Sequence, residues 1–290
     1  MTHPARTAVG GPERFPDLQA LSFDFGNTLV PFPGGPMAEV LTLTAAKCAA
    51  RASSTVEDFT RAWGVERLRQ FAEDVPEGRE ADMDVRARRV LATLRGASVP
   101  ADGARWDDSM LLETICRADV DAVLEAYADA FVQVTPVPIL VGPLLERLAR
   151  RYKLAIVSNW PLTLAIERFL ERAGWLEHLS AVVVSHRVGA IKPRPRIFEV
   201  AARELGIEPG RGIMHVGDDI GADVVGAHAA GWRTAWVRVK PEDSPLPVAP
   251  PAPDAAPDIT IDTVLELESA LGLESPPSQT SAGRLEADKR

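Results

Sequence analysis

Cysteine is scarce in this sequence, with Cys48 and Cys116 the only two in 290 residues. Two thiols are too few for a disulfide framework or a thiolate metal site. Long apolar runs are also missing, because no segment reaches the roughly 18 uninterrupted apolar residues that a membrane-spanning helix needs. Residues 1–16 contain proline, glycine and arginine without an apolar run, so we expect neither a signal peptide nor a membrane anchor. These absences predict a cytoplasmic protein that does not bind membranes.

An excess of positive charge is missing as well. The chain has 41 acidic and 32 basic residues, which gives a formal net charge of -9 at pH 7. Proteins that bind nucleic acids or anionic membrane surfaces need a basic face, so we expect neither as a partner. The hydrophobic share of 46% and the charged share of 25% are typical of a soluble globular protein. The length allows two domains, or one core with a large insertion.

From residue 150 onward, short apolar strands alternate with helical segments, which is typical of a parallel sheet covered on both faces. The predicted strands are 153–157, 181–185, 212–216 and 234–237, and the predicted helices are 162–173, 195–205 and 220–230. Each helix is followed by a glycine suited to a left-handed C-terminal cap, namely Gly174, Gly206 and Gly231. A further apolar strand at 21–25 is expected at the centre of a doubly wound α/β sheet.

Residues 33–135 do not alternate between strands and helices, because their apolar residues recur at helical spacing throughout. The predicted helices are 37–50, 55–71, 81–94, 108–116 and 120–131. Ser54 and Glu57 form a capping-box pattern at the start of the second helix. Taken alone, this block is either an insertion into the α/β core or a separate helical domain. The predicted organisation is a flexible N-terminus at 1–16, an α/β core at 17–32 and 136–273, and a helical block at 33–135.

The C-terminal part is rich in proline. Seven prolines between residues 240 and 257 predict a loop or an extended linker. Residues 259–261 and 263–271 read as a last strand and helix that return to the core. The polar stretch at 274–290 has no periodicity and is predicted to be a disordered tail.

Four short segments carry the candidate chemistry. They are DFGNTL at 24–29, SN at 158–159, KP at 192–193, and GDD at 217–219 followed by Asp223. The carboxyl ends of parallel strands meet at one sheet edge, so we expect these segments to converge on one cleft. Its carboxylates are those of Asp24, Asp218, Asp219 and Asp223. Clustered carboxylates repel one another, and a hard divalent cation with oxygen ligands is the usual way to relieve that repulsion.

Groups suited to an anion accompany these carboxylates. The Ser158 hydroxyl and the backbone N–H groups around Asn159 follow a strand and can donate to an anionic oxygen. The Lys192 ammonium can balance the Asp24 carboxylate and a bound phosphoryl group. His215 precedes the acidic segment and is expected to pack in the core.

In this order the four segments resemble the haloacid dehalogenase-like (HAD) hydrolase superfamily, and the resemblance covers residues 20–272. It implies a Rossmann-like α/β core in which the helical block is a cap domain that shapes the substrate pocket. It also implies magnesium-dependent phosphoryl transfer from a small phosphorylated metabolite, with Asp24 as the nucleophile that forms an aspartyl-phosphate. The implied ligands of Mg²⁺ are Asp24, the backbone carbonyl of Gly26 and Asp218, with Asp219 or Asp223 as a further ligand.

The same resemblance assigns the remaining polar groups. Ser158 and Lys192 are expected to act in catalysis together with the nucleophile. Phosphate is expected to be bound by Ser158, Asn159, Lys192 and Thr28.

Gly26 departs from the family pattern, because phosphatases of this family carry a general acid and base aspartate two residues after the nucleophile. General acid-base catalysis contributes about 10² to 10⁴ in rate. One alternative is therefore a catalytically weakened or inactive protein with a binding or regulatory role. Another is a phosphonatase-like C–P hydrolase, for which Lys47, the only lysine in the helical block, is the candidate amine. Dehalogenases also lack this aspartate, but they bind no metal, and the acidic segment argues against them.

Overall fold

The computed structural model describes residues 15–101, 104–250 and 255–273. The predicted flexible N-terminus lies outside these residues up to residue 14, and the predicted disordered tail at 274–290 lies outside them entirely. Within the described ranges, every helix is too short or too polar to cross a membrane.

Six parallel strands form the sheet at the centre of the described structure. They are β1 (Ala20–Phe23), β2 (Lys153–Ser158), β3 (Ala181–Val184), β4 (Ile213–Gly217), β5 (Arg233–Val237) and β6 (Ile259–Ile261), and their order across the sheet is β3-β2-β1-β4-β5-β6. All four residues of β1 are buried. The predicted central position of this strand is confirmed, and the strand order reverses beside it, which is where open α/β sheets place their ligands.

The α-helices are named in chain order. They are α1 (Gly34–Cys48), α2 (Val56–Glu73), α3 (Met83–Leu94), α4 (Asp108–Thr114), α5 (Arg117–Val134), α6 (Val141–Ala149), α7 (Thr163–Arg172), α8 (Ser185–Val188), α9 (Pro195–Leu205), α10 (Gly226–Ala229) and α11 (Leu267–Leu271). The predicted helix at 220–230 differs from expectation, because its first part, Ile220–Val225, is a π-helix that leads into α10.

Helices cover both faces of the sheet, as predicted for a doubly wound fold. On one face, Leu21 and Phe23 belong to a core that includes α6, α7 and α11. On the other face, Ala20 belongs to a separate core that includes α9 and Ala227 of α10. Successive strand residues point to opposite faces, so one apolar strand supplies both cores.

Helices α1 to α5 form the helical block between β1 and α6. Their interior contains a stack of three aromatic rings. The centroid of the Trp63 ring lies 5.9 Å from that of Phe59 and 6.0 Å from that of Tyr127. The predicted capping box is wrong by one residue. Thr55 has extended backbone angles and its hydroxyl oxygen accepts from the N–H of Asp58 at 3.0 Å, so Thr55 rather than Ser54 is the N-cap of α2.

The glycines that follow the core helices behave as predicted. Gly174, Gly206 and Gly231 have φ values of 69°, 63° and 77°, in the left-handed region that closes a helix C-terminus.

The Pro-rich segment, residues 240–250, has no regular secondary structure and leaves the carboxyl end of the sheet towards the helical block. The Asp243 carboxylate accepts from the N–H of Gly34 at 3.1 Å, at the start of α1. The Pro245 carbonyl accepts from Arg67 on α2 at 3.3 Å. The segment therefore connects the sheet edge to the block by direct contacts.

Gly226 allows α10 to pack closely against the chain that follows Lys192. A Cβ at Gly226 would lie 2.8 Å from a ring carbon of Phe198 and 2.9 Å from the Cα of Pro193. We expect Gly226→Ala to destabilise the fold by about 1–3 kcal/mol, because a backbone atom cannot move away as a side chain can. The measurement is the urea midpoint of unfolding.

Gly64→Ala is the matched control, because no atom lies within 4 Å of the added Cβ at this position inside α2. Alanine favours a helix interior over glycine by about 1 kcal/mol, so this variant should unfold at equal or higher urea. Equal midpoints for Gly226→Ala and the wild type would contradict the close packing.

Candidate active site

The Asp24 carboxylate lies just beyond the carboxyl end of β1. Asp24 is only 8% exposed, and its backbone N–H donates to the Val216 carbonyl on β4 at 2.9 Å. A buried ionised carboxylate is costly unless a cation lies beside it. That cation is Lys192, whose Nζ is 2.7 Å from Asp24 Oδ1.

Three oxygens surround the Lys192 ammonium. Besides Asp24, they are Asp223 Oδ1 at 2.6 Å and the Val157 carbonyl at 2.8 Å. Burial opposes the charge on the ammonium, but the carboxylates of Asp223 and Asp24 outweigh it and raise the pKa of Lys192. The three donors of the ammonium each have an acceptor, so the group is charged and held in one position.

Asn159 holds the backbone of Lys192. Its Oδ1 accepts from the Lys192 N–H at 2.7 Å, and its Nδ2 donates to the Lys192 carbonyl at 3.1 Å. Both polar atoms of the Asn159 side chain therefore position Lys192. The second N–H of Nδ2 and the backbone N–H of Asn159 remain as candidate donors to a ligand.

Three carboxylates meet beside Lys192. Asp24, Asp218 and Asp223 each offer one oxygen, and these oxygens lie within 4.8 Å of one another. Burial raises the pKa of Asp24 to about 6, with the charges of Asp223 and Asp218 acting in the same direction and Lys192 opposing them. Burial and the charge of Asp223 likewise raise the pKa of Asp218 to about 6. Closely spaced carboxylate oxygens fit a hard divalent cation, which also offsets their repulsion.

Asp223 is the most strongly held carboxylate of the three. One oxygen faces Lys192 and lies 3.1 Å from His215 Nε2, and the other accepts from the N–H of Asp219 at 2.9 Å. Burial works against the negative charge, yet Lys192 and His215 hold the pKa of Asp223 well below its ordinary value. Asp223 therefore stays ionised.

His215 is buried in the core as predicted, and it also belongs to the polar network of the site. Its Nδ1 lies 2.5 Å from the Ser22 hydroxyl on β1, and burial lowers its pKa. The link between Ser22 and Asp223 through His215 depends on the pairing of β1 with β4, where Ser22 lies opposite His215. No pattern in the sequence could have indicated it.

Asp219 does not join the carboxylate cluster. Its Oδ1 accepts from the N–H of Ala222 at 3.0 Å, which makes Asp219 the N-cap of the π-helical turn. Its Oδ2 accepts from the N–H of Ala249 in the Pro-rich segment at 2.7 Å. These two contacts hold the Asp219 carboxylate at the turn and the Pro-rich segment, and Asp223 is the residue whose carboxylate lies close to Asp24 and Asp218.

A cavity of about 600 Å³ opens in front of these groups. Its walls come from the ends of β1, β2 and β4, from α1, α2, α3 and α5, and from the Pro-rich segment. Ser158 and Trp160 line it, and Lys240 from the Pro-rich segment places its Nζ 3.0 Å from Asp218 Oδ2. The sequence signals a loop at 240–250 but gives no sign that this loop forms a wall of the site.

Gly26 faces the Pro-rich segment. Its φ lies outside the left-handed region, so its backbone does not require glycine. A Cβ at this position would lie 2.6 Å from Cδ1 of Leu246. The space that an aspartate side chain would enter is therefore filled by Leu246.

Thr28 and Lys47 lie apart from the cavity. Thr28 is buried, and its hydroxyl has no hydrogen-bond partner within the described residues. Lys47 lies on the surface, with its side chain 52% exposed and its Nζ 3.4 Å from Asp129. Neither residue is among those that line the cavity.

Comparisons with known proteins give the same fold and family. The solved structure of a 2-haloacid dehalogenase from Pseudomonas syringae pv. Tomato DC3000 superposes with a TM-score of 0.59 over 88% of this chain and 98% of that chain, at 21% identity. At that identity the likeness shows the fold alone.

Two curated relatives carry phosphatase names. The pyrimidine 5'-nucleotidase YjjG of Escherichia coli is 30% identical over 148 residues, which is 51% of this chain and 62% of that enzyme. A ribulose-1,5-bisphosphate 5-phosphatase of Halopiger xanaduensis is 29% identical over 257 residues, 86% of this chain and 97% of that protein. Like the nucleotidase, two further curated relatives are matched over less than two thirds of their own length.

A family model described as haloacid dehalogenase-like hydrolase matches residues 18–231, which include all four segments of the site. This protein is therefore a member of the haloacid dehalogenase-like hydrolase family.

Proposed function

We propose that this protein is a magnesium-dependent phosphatase that hydrolyses a small phosphorylated metabolite, with Asp24 as the nucleophile. The observation that carries the proposal is the contact of Asp24 with Lys192 beside a cluster of three carboxylates, at the inner end of a cavity. A nucleophilic carboxylate, a fixed ammonium and a set of oxygen ligands are the groups that phosphoryl transfer needs. The phosphatase names of the curated relatives support the same class of substrate.

The residues that would hold Mg²⁺ are Asp24, the backbone carbonyl of Gly26, Asp218 and Asp223. Bound there, the ion would neutralise phosphoryl oxygens and the clustered carboxylates. Asp219 is left out because its carboxylate lies outside the cluster that Asp24, Asp218 and Asp223 form. Carboxylates at this separation also argue against dehalogenase chemistry, since a metal-free site gains nothing from three of them.

In the proposed reaction, an oxygen of Asp24 bonds to phosphorus while the bond from phosphorus to the leaving oxygen breaks. Lys192 remains beside Asp24 and balances the negative charge as it moves to the phosphoryl group. The Ser158 hydroxyl and the N–H of Asn159 donate to phosphoryl oxygens. A water molecule then hydrolyses the aspartyl-phosphate, which releases phosphate and restores the Asp24 carboxylate.

The helical block, 33–135, is assigned as a cap over a core formed by 17–32 and 136–273. Four of its helices contribute walls to the cavity, so the block selects the substrate. The phosphonatase alternative loses its support, because the only lysine of the block is exposed and paired with Asp129 outside the cavity.

A second candidate function is binding without efficient turnover, and Gly26 favours it. No side chain at this position can protonate the leaving oxygen, and Leu246 fills the adjacent space. Without a general acid at this position, the hydrolysis of alkyl phosphates should be slowed most. Aryl phosphates should be affected less, because an aryl oxide can leave without being protonated.

Asp24→Asn should reduce turnover of p-nitrophenyl phosphate with Mg²⁺ by at least about 100-fold, because an amide is a poor nucleophile. The fold should remain, since the two side chains have the same shape. Initial rates and thermal melts measure the two effects. Asp262→Asn is the control, because this carboxylate follows β6 and pairs with Arg238 away from the cavity. Turnover above about a hundredth of the wild-type rate in Asp24→Asn would mean that another group is the nucleophile.

Mg²⁺ should raise the melting temperature relative to a chelator, because a cation that binds only the folded carboxylate cluster stabilises the fold. At 100 times its dissociation constant the expected stabilisation is about 2.7 kcal/mol. Asp218→Asn should lose most of this shift. Asp219→Asn should keep it, because asparagine is an equally good N-cap.

The effect of pH on this binding has a defined sign. The pKa values of Asp24 and Asp218 are raised to about 6, so protonated forms accumulate below that pH and Mg²⁺ must displace protons. The apparent affinity should be constant above pH 7 and at least about tenfold weaker at pH 5. Identical melts with and without Mg²⁺ at pH 7.5 would contradict the metal site.

Gly26→Asp should restore a proton donor only if Leu246 makes room for it. We expect the double variant Gly26→Asp, Leu246→Ala to raise the ratio of turnover on alkyl phosphate to turnover on aryl phosphate by about tenfold or more. Protonation helps most where the leaving oxygen is most basic. Leu246→Ala alone controls for the change in the cavity wall. An unchanged ratio in a folded double variant that binds Mg²⁺ would show that a carboxylate here does not supply the proton.

A further inference from the structure

Helix α3 carries three buried arginines, and they differ in what balances their charge. Arg88 is paired with Asp84 at 2.8 Å, and Arg89 with Asp108 at 2.8 Å. Arg86 is 2% exposed, and within the described residues no carboxylate oxygen lies within 4 Å of its guanidinium. Its Nε donates to Gln70 at 2.8 Å and its Nη2 to the Ala81 carbonyl at 3.1 Å, and both acceptors are neutral. Its guanidinium also lies over the Trp63 ring, 5.5 Å from the ring centroid, and the charges of Glu80 and Asp82 act on it from beyond ion-pair distance. A buried cation normally has an anionic partner in direct contact, and Arg86 has none among the described residues.

Arg67 on α2 also lacks a carboxylate partner among the described residues, although it is only partly buried. It stacks on the Phe71 ring at 4.6 Å and donates to the Pro245 carbonyl. Burial lowers the pKa of Arg86 to about 10, with the charge of Arg67 acting in the same direction and the charges of Glu80 and Asp82 opposing it. Two neighbouring guanidinium groups repel each other unless an anion lies between or beside them.

Both arginines line the cavity that contains Asp24 and Lys192. Tyr127 lines it too, and its hydroxyl has no hydrogen-bond partner in the described part of the chain. Burial raises the pKa of Tyr127 to about 12, so this hydroxyl remains a donor. Besides the donors of Arg67 and Arg86 that already have protein acceptors, this wall offers the Tyr127 hydroxyl and the remaining guanidinium N–H groups, for which the described residues supply no acceptor.

Glu80 also lines this cavity, but its carboxylate is used elsewhere. It accepts from the Ser185 hydroxyl and, at 2.9 Å, from the N–H of Ala81. Burial raises the pKa of Glu80, and within the described residues neither of its oxygens lies at ion-pair distance from Arg67 or Arg86. The positive charge of the two arginines thus remains available to a ligand.

We propose that Arg67 and Arg86 form a subsite that binds a second anionic group of the substrate, a carboxylate or a second phosphate, while the first phosphate is transferred to Asp24. The subsite rests on the proposed function and adds to it a substrate class, the small phosphorylated metabolites with two anionic groups. A planar guanidinium suits both candidate anions because it can donate two parallel hydrogen bonds. The cavity of about 600 Å³ is the size of a small-metabolite pocket.

The test compares substrates that differ by one anionic group. Glycerol 3-phosphate and 3-phosphoglycerate differ by a carboxylate, and fructose 6-phosphate and fructose 1,6-bisphosphate differ by a phosphate. In one pair, we expect kcat/KM to be at least about tenfold higher for the compound with the second anionic group, mainly through a lower KM. The pair that shows the difference identifies the second anion.

Arg67→Gln and Arg86→Gln should each bring the ratio within that pair close to one, and Arg86→Lys should retain part of it. If Arg86→Gln fails to fold, Arg67→Gln decides, because Arg67 is only partly buried. Arg61→Gln is the matched control. Arg61 lies on α2, but its side chain is 66% exposed and pairs with Asp58, so this variant should keep the wild-type ratio.

Failure of the subsite and failure of the proposed function are distinguishable. Turnover of p-nitrophenyl phosphate with ratios near one in both pairs would overturn the subsite and leave the phosphatase. If nothing is turned over, thermal melts with the same four compounds decide. The subsite would be supported if a compound with two anionic groups raises the melting temperature more than its partner in the pair and this difference disappears in Arg67→Gln. Equal shifts of the melting temperature within both pairs would overturn it.

Discussion

The structure of the site depends on one interaction, the burial of the Lys192 ammonium between the carboxylates of Asp24 and Asp223. The three charges lie below the surface, where each would be costly alone. Together they fix the end of the central strand, the chain that enters α9 and the turn that follows β4. Asn159 and Gly226 serve the same arrangement, since one holds the Lys192 backbone and the other lets α10 reach the adjacent proline.

Charge is distributed unevenly along the cavity. At the sheet edge, Asp24, Asp218 and Asp223 place more negative charge than the ammonium groups of Lys192 and Lys240 offset, and a divalent cation would complete the balance. At the wall formed by the helical block, Arg67 and Arg86 form no ion pair with any carboxylate that the structure describes. A ligand that is anionic at both ends, bound together with a metal ion, would neutralise both regions.

The Pro-rich segment forms one wall of the candidate active site. It contacts the sheet edge through Lys240 and Ala249 and the helical block through Asp243 and Pro245. Leu246 fills the space beside Gly26. Gly26 is therefore surrounded by apolar packing on this side, and the nearby carboxylates and Lys192 keep their arrangement around it.

The sequence by itself determined the alternating strands and helices of the parallel sheet and the helical nature of the block at 33–135, because hydrophobic periodicity and helix-ending glycines are local signals. The convergence of the four segments followed from one general rule, that the carboxyl ends of parallel strands meet at one sheet edge. Only the tertiary structure decided that Asp223 joins the carboxylate cluster while Asp219 caps a turn, since that depends on which backbone N–H groups lie nearby. It also decided that His215 links Ser22 to Asp223, which requires a particular strand register. The Pro-rich wall and the burial of Arg86 without an ion pair among the described residues likewise depend on contacts between separate elements, which composition and spacing do not reveal.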